Sequence, residues 1–134
     1  SLADSRLQPI DQNTATFFNR YVIDESYGGL ALEEEGERCA QLLQDPKKTV
    51  MIMGNHGIMV IGKSVAETFN RMYYFERAAE TYIRALQTGQ KLRILSDSIA
   101  EKTAAEVDQY PEQSDKHLSE LKEILDSEHS DYSY

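Results

Sequence analysis

Residues 50–62 read VMIMGNHGIMVIG, two short apolar runs separated by Gly54, Asn55, His56 and Gly57. Each run is too short for a buried helix, and its length and apolar character are typical of a core strand. Glycine and asparagine between two such runs indicate a tight turn. The stretch therefore predicts a β-hairpin that holds the imidazole of His56 at its tip, with Gly54 and Gly57 allowing positive φ or a close backbone approach.

The residues on either side of the hairpin predict helices and one further strand. Residues 20–24 are β-branched and aromatic enough for a strand, and residues 32–45 have the glutamate-rich start of a helix. Ser64 and Glu67 have the spacing of a capping box, which predicts that a long helix begins here and ends near residue 86. Asp11 is expected to cap a short helical turn.

The chain after Gly89 predicts a polar helix that Pro111 ends, and then a last amphipathic helix. The apolar seam of that last helix consists of Leu118, Leu121 and Leu125. The closing serines and tyrosines predict a loose tail.

The long helix after Ser64 has an apolar stripe that recurs every three or four residues. Its members are Val65, Phe69, Met72, Ala79, Ile83 and Leu86. Glu76 lies in the middle of this stripe, and a buried carboxylate is costly unless it is paired or hydrogen-bonded. We therefore expect Glu76 to be buried and bonded to a basic side chain or to backbone donors; a catalytic role is the alternative.

Composition and charge restrict the class of protein. The 134 residues carry a net charge of −9, which argues against nucleic acid and anionic membranes as partners because both would repel the chain. Cys39, the single cysteine, excludes an internal disulfide, fits a reducing compartment and is expected to be buried on a helix. No apolar run approaches the length of a membrane-spanning helix, and residues 1–13 lack the pattern of a signal peptide. The expected location is cytoplasmic.

His56 by itself does not define a metal site. Zinc sites use three or four protein ligands, and the chain contains no HxH, HExxH or CxxC motif. A histidine in a turn is either a structural residue or one ligand of a larger set, and the residues alone leave both readings open. His117 and His129 are predicted to be surface residues.

Residues 55–86, NHGIMVIGKSVAETFNRMYYFERAAETYIRAL, resemble the C-terminal half of the class II aldolase/adducin family. The ordered features are Asn-His-Gly after an apolar strand, a glycine at residue 62, the helix start SVAETF at residues 64–69 and FERA at residues 75–78. The resemblance implies an α/β fold, a three-layer α/β/α sandwich around a largely antiparallel sheet. It divides the chain into residues 1–90, the C-terminal half of that domain, and residues 91–134, a helical extension of the adducin-like branch.

The resemblance also implies a function. In this family the histidine of the Asn-His-Gly turn is the third protein ligand of a catalytic zinc, so His56 is expected to bind Zn²⁺. The other two ligands come from an HxH motif upstream of the residues present here, so this chain by itself is expected to be inactive. The implied parent protein is a lyase acting on a small hydroxy-carbonyl substrate, commonly a homo-oligomer. The alternative is a non-catalytic, adducin-like assembly module.

Overall fold

The computed structural model describes residues 2–26, 29, 32–128 and 131, and all structural statements concern these residues. His129, predicted to lie on the surface, falls outside them, as does most of the predicted tail. The elements in chain order are α1 Gln12–Thr16, β1 Tyr21–Asp24, α2 Leu32–Leu42, β2 Val50–Met53, β3 Gly57–Val60, α3 Val65–Gln87, α4 Asp97–Val107 and α5 Glu112–Ser127.

The strands form a small mixed sheet, which within the described residues has the order β1-β2-β3. β1 and β2 are parallel, with Tyr21 opposite Val50. β2 and β3 are antiparallel, with Val50 opposite Val60. The predicted hairpin is therefore confirmed, with His56 in the turn between its strands.

Helices pack on both faces of this sheet. Val50 and Ile52 lie on one face, in a core that includes Phe17 of the segment after α1 and Phe75 of α3. Side chains alternate along a strand, so Met51, which has no solvent exposure, points to the opposite face. Asp24 belongs to that second face through its register with Met53, and its carboxylate binds Arg38 of α2. The architecture is α/β, with a helix layer on each side of the strands.

Helix α3 begins as the capping pattern predicts. The Ser64 hydroxyl accepts a hydrogen bond from the Glu67 amide at 3.1 Å. The Glu67 carboxylate accepts one from the amide of Lys63, one residue before the expected partner. At mid-helix the ring of Phe75 packs edge-on against Phe17, with centroids 5.1 Å apart. This contact joins α3 to the end of α1.

The prediction that Glu76 is buried is wrong, because Glu76 is exposed. α3 buries Ala66, Phe75 and Ala78, most of which lie on the side opposite the stripe selected by periodicity. Stripe residues such as Val65 remain exposed instead, at 78% for that side chain. Both sides of α3 are thus apolar, and the inner side faces the sheet and α1. We keep the name "outer stripe" for Val65, Phe69, Met72, Ala79, Ile83 and Leu86.

Helix α4 buries Ala100 and Ala104 and is also attached to the rest of the chain by polar contacts. Arg20, only 5% exposed, lies next to β1 and donates hydrogen bonds to Glu101 in the middle of α4 and to Asp108 at its C-terminal cap. α4 therefore packs against the segment around α1 through a cation that is nearly sealed from water. The division at residue 90 remains a prediction.

The prediction that His117 is a plain surface residue is wrong. Its ring is half-buried on α5 and its Nδ1 lies 2.8 Å from Oδ1 of Asn70 on α3. The ring also packs against Phe69, Tyr73 and Tyr74, with a centroid distance of 4.7 Å to Tyr73. Because these partners are all on α3, His117 joins the two helices.

Replacing Gly62 should destabilise the junction between β3 and α3. A Cβ at Gly62 would lie 2.5 Å from Oγ1 and 2.9 Å from the backbone N of Thr68, closer than real contacts allow. We expect Gly62→Ala to lower the free energy of unfolding by about 1–3 kcal/mol in a urea titration. Gly57→Ala is the matched control, because no atom lies within 4 Å of that Cβ. Equal stability of the two variants would contradict the close approach.

The Arg20–Glu101 ion pair should contribute a pH-dependent part of the stability. The hydrogen bond from Arg20 lowers the pKa of Glu101 below its usual 4.5. Because this pKa is lowered on folding, the ion pair contributes to stability above pH 4.5, and the contribution is lost as the pH falls through the pKa of Glu101 in the folded state. We expect wild type to be more stable than Glu101→Gln at pH 7, and the difference to vanish in acid.

The control for this pH dependence is Glu106→Gln, which removes a carboxylate that is paired with Lys102 at 3.7 Å and lies on the same helix. Both members of this pair are well exposed, so we expect little change in stability at any pH. A Glu101→Gln effect that stays constant into acid would contradict the assignment.

Candidate functional site: the hairpin tip

The turn between β2 and β3 consists of Gly54, Asn55 and His56. The amide of His56 donates a hydrogen bond to the carbonyl of Met53 at 3.1 Å, which closes the turn. The left-handed position is Asn55, with φ of 58°, rather than either glycine. Asparagine adopts this conformation more readily than most residues. The backbone of the tip is thus defined by residues that immediately precede the histidine.

Gly54 attaches the tip to the end of the neighbouring strand. Its amide donates a 2.7 Å hydrogen bond to the backbone carbonyl of Asp24. A Cβ at Gly54 would lie 3.3 Å from the same oxygen, so the expected close backbone approach is at this glycine. Nothing lies within 4 Å of a Cβ at Gly57, which therefore shows no such approach.

The end of β1 is held in turn by α2. The Asp24 carboxylate is 5% exposed; it accepts hydrogen bonds from the Ser26 amide and from the guanidinium of Arg38. Arg38 also pairs with Glu35 within α2. Sequence reasoning missed this connection, since a single acidic residue at the end of a strand carries no signal for an arginine 14 positions later. α2, β1 and the hairpin tip form one continuous set of contacts.

The imidazole of His56 is exposed at the end of this support. An exposed histidine next to a held backbone is accessible to a ligand from outside the chain. Within the described part of the chain, however, no group of three histidine, cysteine or acidic side chains is close enough together to hold a metal ion. Zinc needs three or four ligands. His56 therefore fits as one ligand, and the described residues do not complete a site.

A second feature lies at the other end of the hairpin. A cavity of about 560 Å³ is lined there by Thr49, which precedes β2, and by Lys63, which follows β3. Residues of α1, α3 and the turn between α4 and α5 complete its wall. No sequence pattern predicts this cavity, because its lining residues come from five separate segments of the chain.

Mutations should distinguish the role of Asn55, which shapes the backbone of the tip, from that of His56, which presents an exposed imidazole. Asn55→Ala places alanine in the left-handed region and should lower the free energy of unfolding by about 1 kcal/mol. Asn55→Gly should not, because glycine adopts positive φ without strain. His56→Ala should change stability by less than about 0.5 kcal/mol, as for an exposed side chain. Urea denaturation of the three variants measures this, and a large loss for His56→Ala would mean that the imidazole is structural.

Comparison with known proteins places the chain in a family. Residues 1–83 match the family described as Class II Aldolase and Adducin N-terminal domain. An aldolase II superfamily protein from Pseudomonas syringae has a solved structure that superposes on 94% of this chain with a TM-score of 0.83 and 28% identity. The alpha-adducins of Rattus norvegicus and Mus musculus are each 35% identical over 60 residues, 45% of this chain.

The chain spans about half of the Pseudomonas syringae structure, 51%, and 8% of either alpha-adducin. The family match covers more than half of the chain and includes the hairpin with Asn55, His56 and Gly57. The α/β architecture agrees with that of the structural neighbour. The resemblance read from residues 55–86 is confirmed: this chain belongs to the class II aldolase and adducin family.

Proposed function

We propose that this chain supplies the hairpin ligand of a zinc centre in a class II aldolase-type lyase, and that His56 is that ligand. The observation that carries the proposal is the geometry of the tip. An exposed imidazole stands on a turn whose backbone is bonded to β1 through Gly54, and β1 is bonded to α2 through Asp24. A metal ligand benefits from such support because its position must not vary.

The remaining ligands would come from residues outside this sequence. When bound by neutral imidazoles, zinc would keep its double charge and would supply polarisation of a carbonyl or hydroxyl of a small hydroxy-carbonyl substrate. The part of this chain in that chemistry is to hold one imidazole in place. Asp24 and Arg38 contribute by positioning the strand to which the tip is bonded.

The proposal extends to the oligomeric state and the cellular location of the enzyme. We expect a homo-oligomer, since the outer stripe of α3 leaves apolar side chains such as Val65 and Ile83 exposed in the single chain. The single free cysteine, Cys39, is buried and fits a cytoplasmic protein. Among the described helices, none has the length and apolar character needed to cross a membrane.

A non-catalytic assembly module is the second candidate. Two observations favour it: the similarity to alpha-adducins over 60 residues, and the exposed side chains of the outer stripe such as Val65 and Ile83, which would serve an assembly surface equally well. On this reading His56 is only a turn residue. Metal binding separates the two candidates because an assembly module does not require it.

The test is the zinc content of the full-length protein, wild type against His56→Ala, after dialysis. We expect His56→Ala to lose the metal and the lyase activity while its circular dichroism spectrum remains unchanged. His117→Gln is the control and should retain zinc, because His117 is bonded to Asn70 between two helices. The 134-residue chain alone should retain no stoichiometric zinc, since one imidazole is too few ligands. Equal zinc in wild type and His56→Ala would favour the assembly module.

A further inference from the structure

The cavity at the base of the hairpin is a separate place from the hairpin tip. Thr49 and Lys63 flank the two strands at the end opposite His56, and the four residues of each strand lie between. Four residues of strand span roughly 13 Å. The cavity volume of about 560 Å³ falls within the range of small-molecule sites. A ligand in the cavity would therefore not contact a metal bound at His56.

Several polar side chains in the cavity wall have no partner inside the described part of the chain. Ser114 is 7% exposed, and its hydroxyl makes no hydrogen bond there. The hydroxyl of Thr49 and the amide of Asn13 are in the same situation, and both residues are half-buried. Among the described residues, every polar side-chain atom that is sealed from solvent has a hydrogen-bond partner. Because the Ser114 hydroxyl has none there, it must be accessible from the cavity. These groups are available to a ligand.

The charge of the wall is opposite to that of the whole chain. Four cations and two carboxylates line the cavity, an excess of two positive charges in a protein of net charge −9. The carboxylates are already used: Asp108 accepts from Arg20, and Glu67 accepts from Arg71. A concave wall of one sign concentrates the electrostatic potential and attracts ions of the other sign.

The excess charge belongs to Lys47 and Lys63. Neither ammonium group makes a hydrogen bond or an ion pair in the part of the chain that the structure describes. Arg20 also lies in this wall and is 5% exposed, but its charge is balanced by Glu101 and Asp108. A cavity whose wall carries two exposed lysine side chains is suited to bind an anionic group.

We propose that this cavity binds a small organic anion carrying a carboxylate or a phosphate group. Lys47 and Lys63 contact the anionic group, and Ser114, Thr49 and Asn13 donate hydrogen bonds to its oxygens. Phe17, which is buried, gives the same wall an apolar part for a carbon skeleton. Long polyanions are excluded as ligands because the rest of the chain is strongly negative and would repel them.

The test is a titration of the 134-residue chain with inorganic phosphate and, separately, with acetate, followed by amide chemical shifts. Saturable shifts should be concentrated at Asn13, Thr49, Lys63 and Ser114, and the probe that binds more tightly identifies the anionic group. The double variant Lys47→Ala/Lys63→Ala should bind that probe at least about tenfold more weakly, the effect of about 1.4 kcal/mol.

The matched control is Lys91→Ala/Lys122→Ala, which removes the same charge from exposed lysines outside the cavity wall. Its affinity for the probe should stay close to that of wild type. Both double variants replace exposed side chains, so an unchanged circular dichroism spectrum is expected for each. Absence of saturable shifts with both probes, or equal weakening in the two double variants, would overturn the proposal.

Discussion

The structure depends on one constraint, which is that β2 is buried on both of its faces. Val50 and Met51 are neighbours in sequence, point in opposite directions and are both inaccessible to solvent. Covering Val50 requires Phe17 and Phe75, and so brings α3 and the end of α1 to one face. The face of Met51 carries the bond from Asp24 to Arg38 of α2. The layers of the fold follow from a single strand whose first two residues are buried on opposite faces.

The same strand separates the two candidate sites. Its C-terminal end leads into the tip with His56, and its N-terminal end begins at the wall of the cavity, next to Thr49. A short hairpin buried on one side by α3 is stiff, so neither end can move far without disturbing the core. The tip is open to partners outside the chain, whereas the cavity is an open pocket lined by several of the chain's own elements.

Helix α3 illustrates what periodicity alone leaves open. Its outer stripe and its inner face, centred on Phe75 and Ala78, are both apolar, and both recur at helical spacing. The stripe is the more regular of the two, and for that reason it predicts a buried Glu76, whereas the structure exposes this residue. The inner face is the one that is buried, because its aromatic ring and small alanine pack against Phe17 and β2. A helix that is apolar on two sides commonly buries one side in its own domain and uses the other to contact a partner molecule.

The sequence by itself determined the elements and the family. Hairpin, helix starts and the buried Cys39 follow from local chemistry: short apolar runs, capping residues and the Asn-His-Gly turn act within a few positions. Tertiary structure alone decided the contacts between distant residues, such as Arg20 with Asp108 or His117 with Asn70. It also decided which side of α3 is buried and where the cavity lies. These depend on which surfaces meet after folding, and no local pattern contains that information because the partners are tens of residues apart.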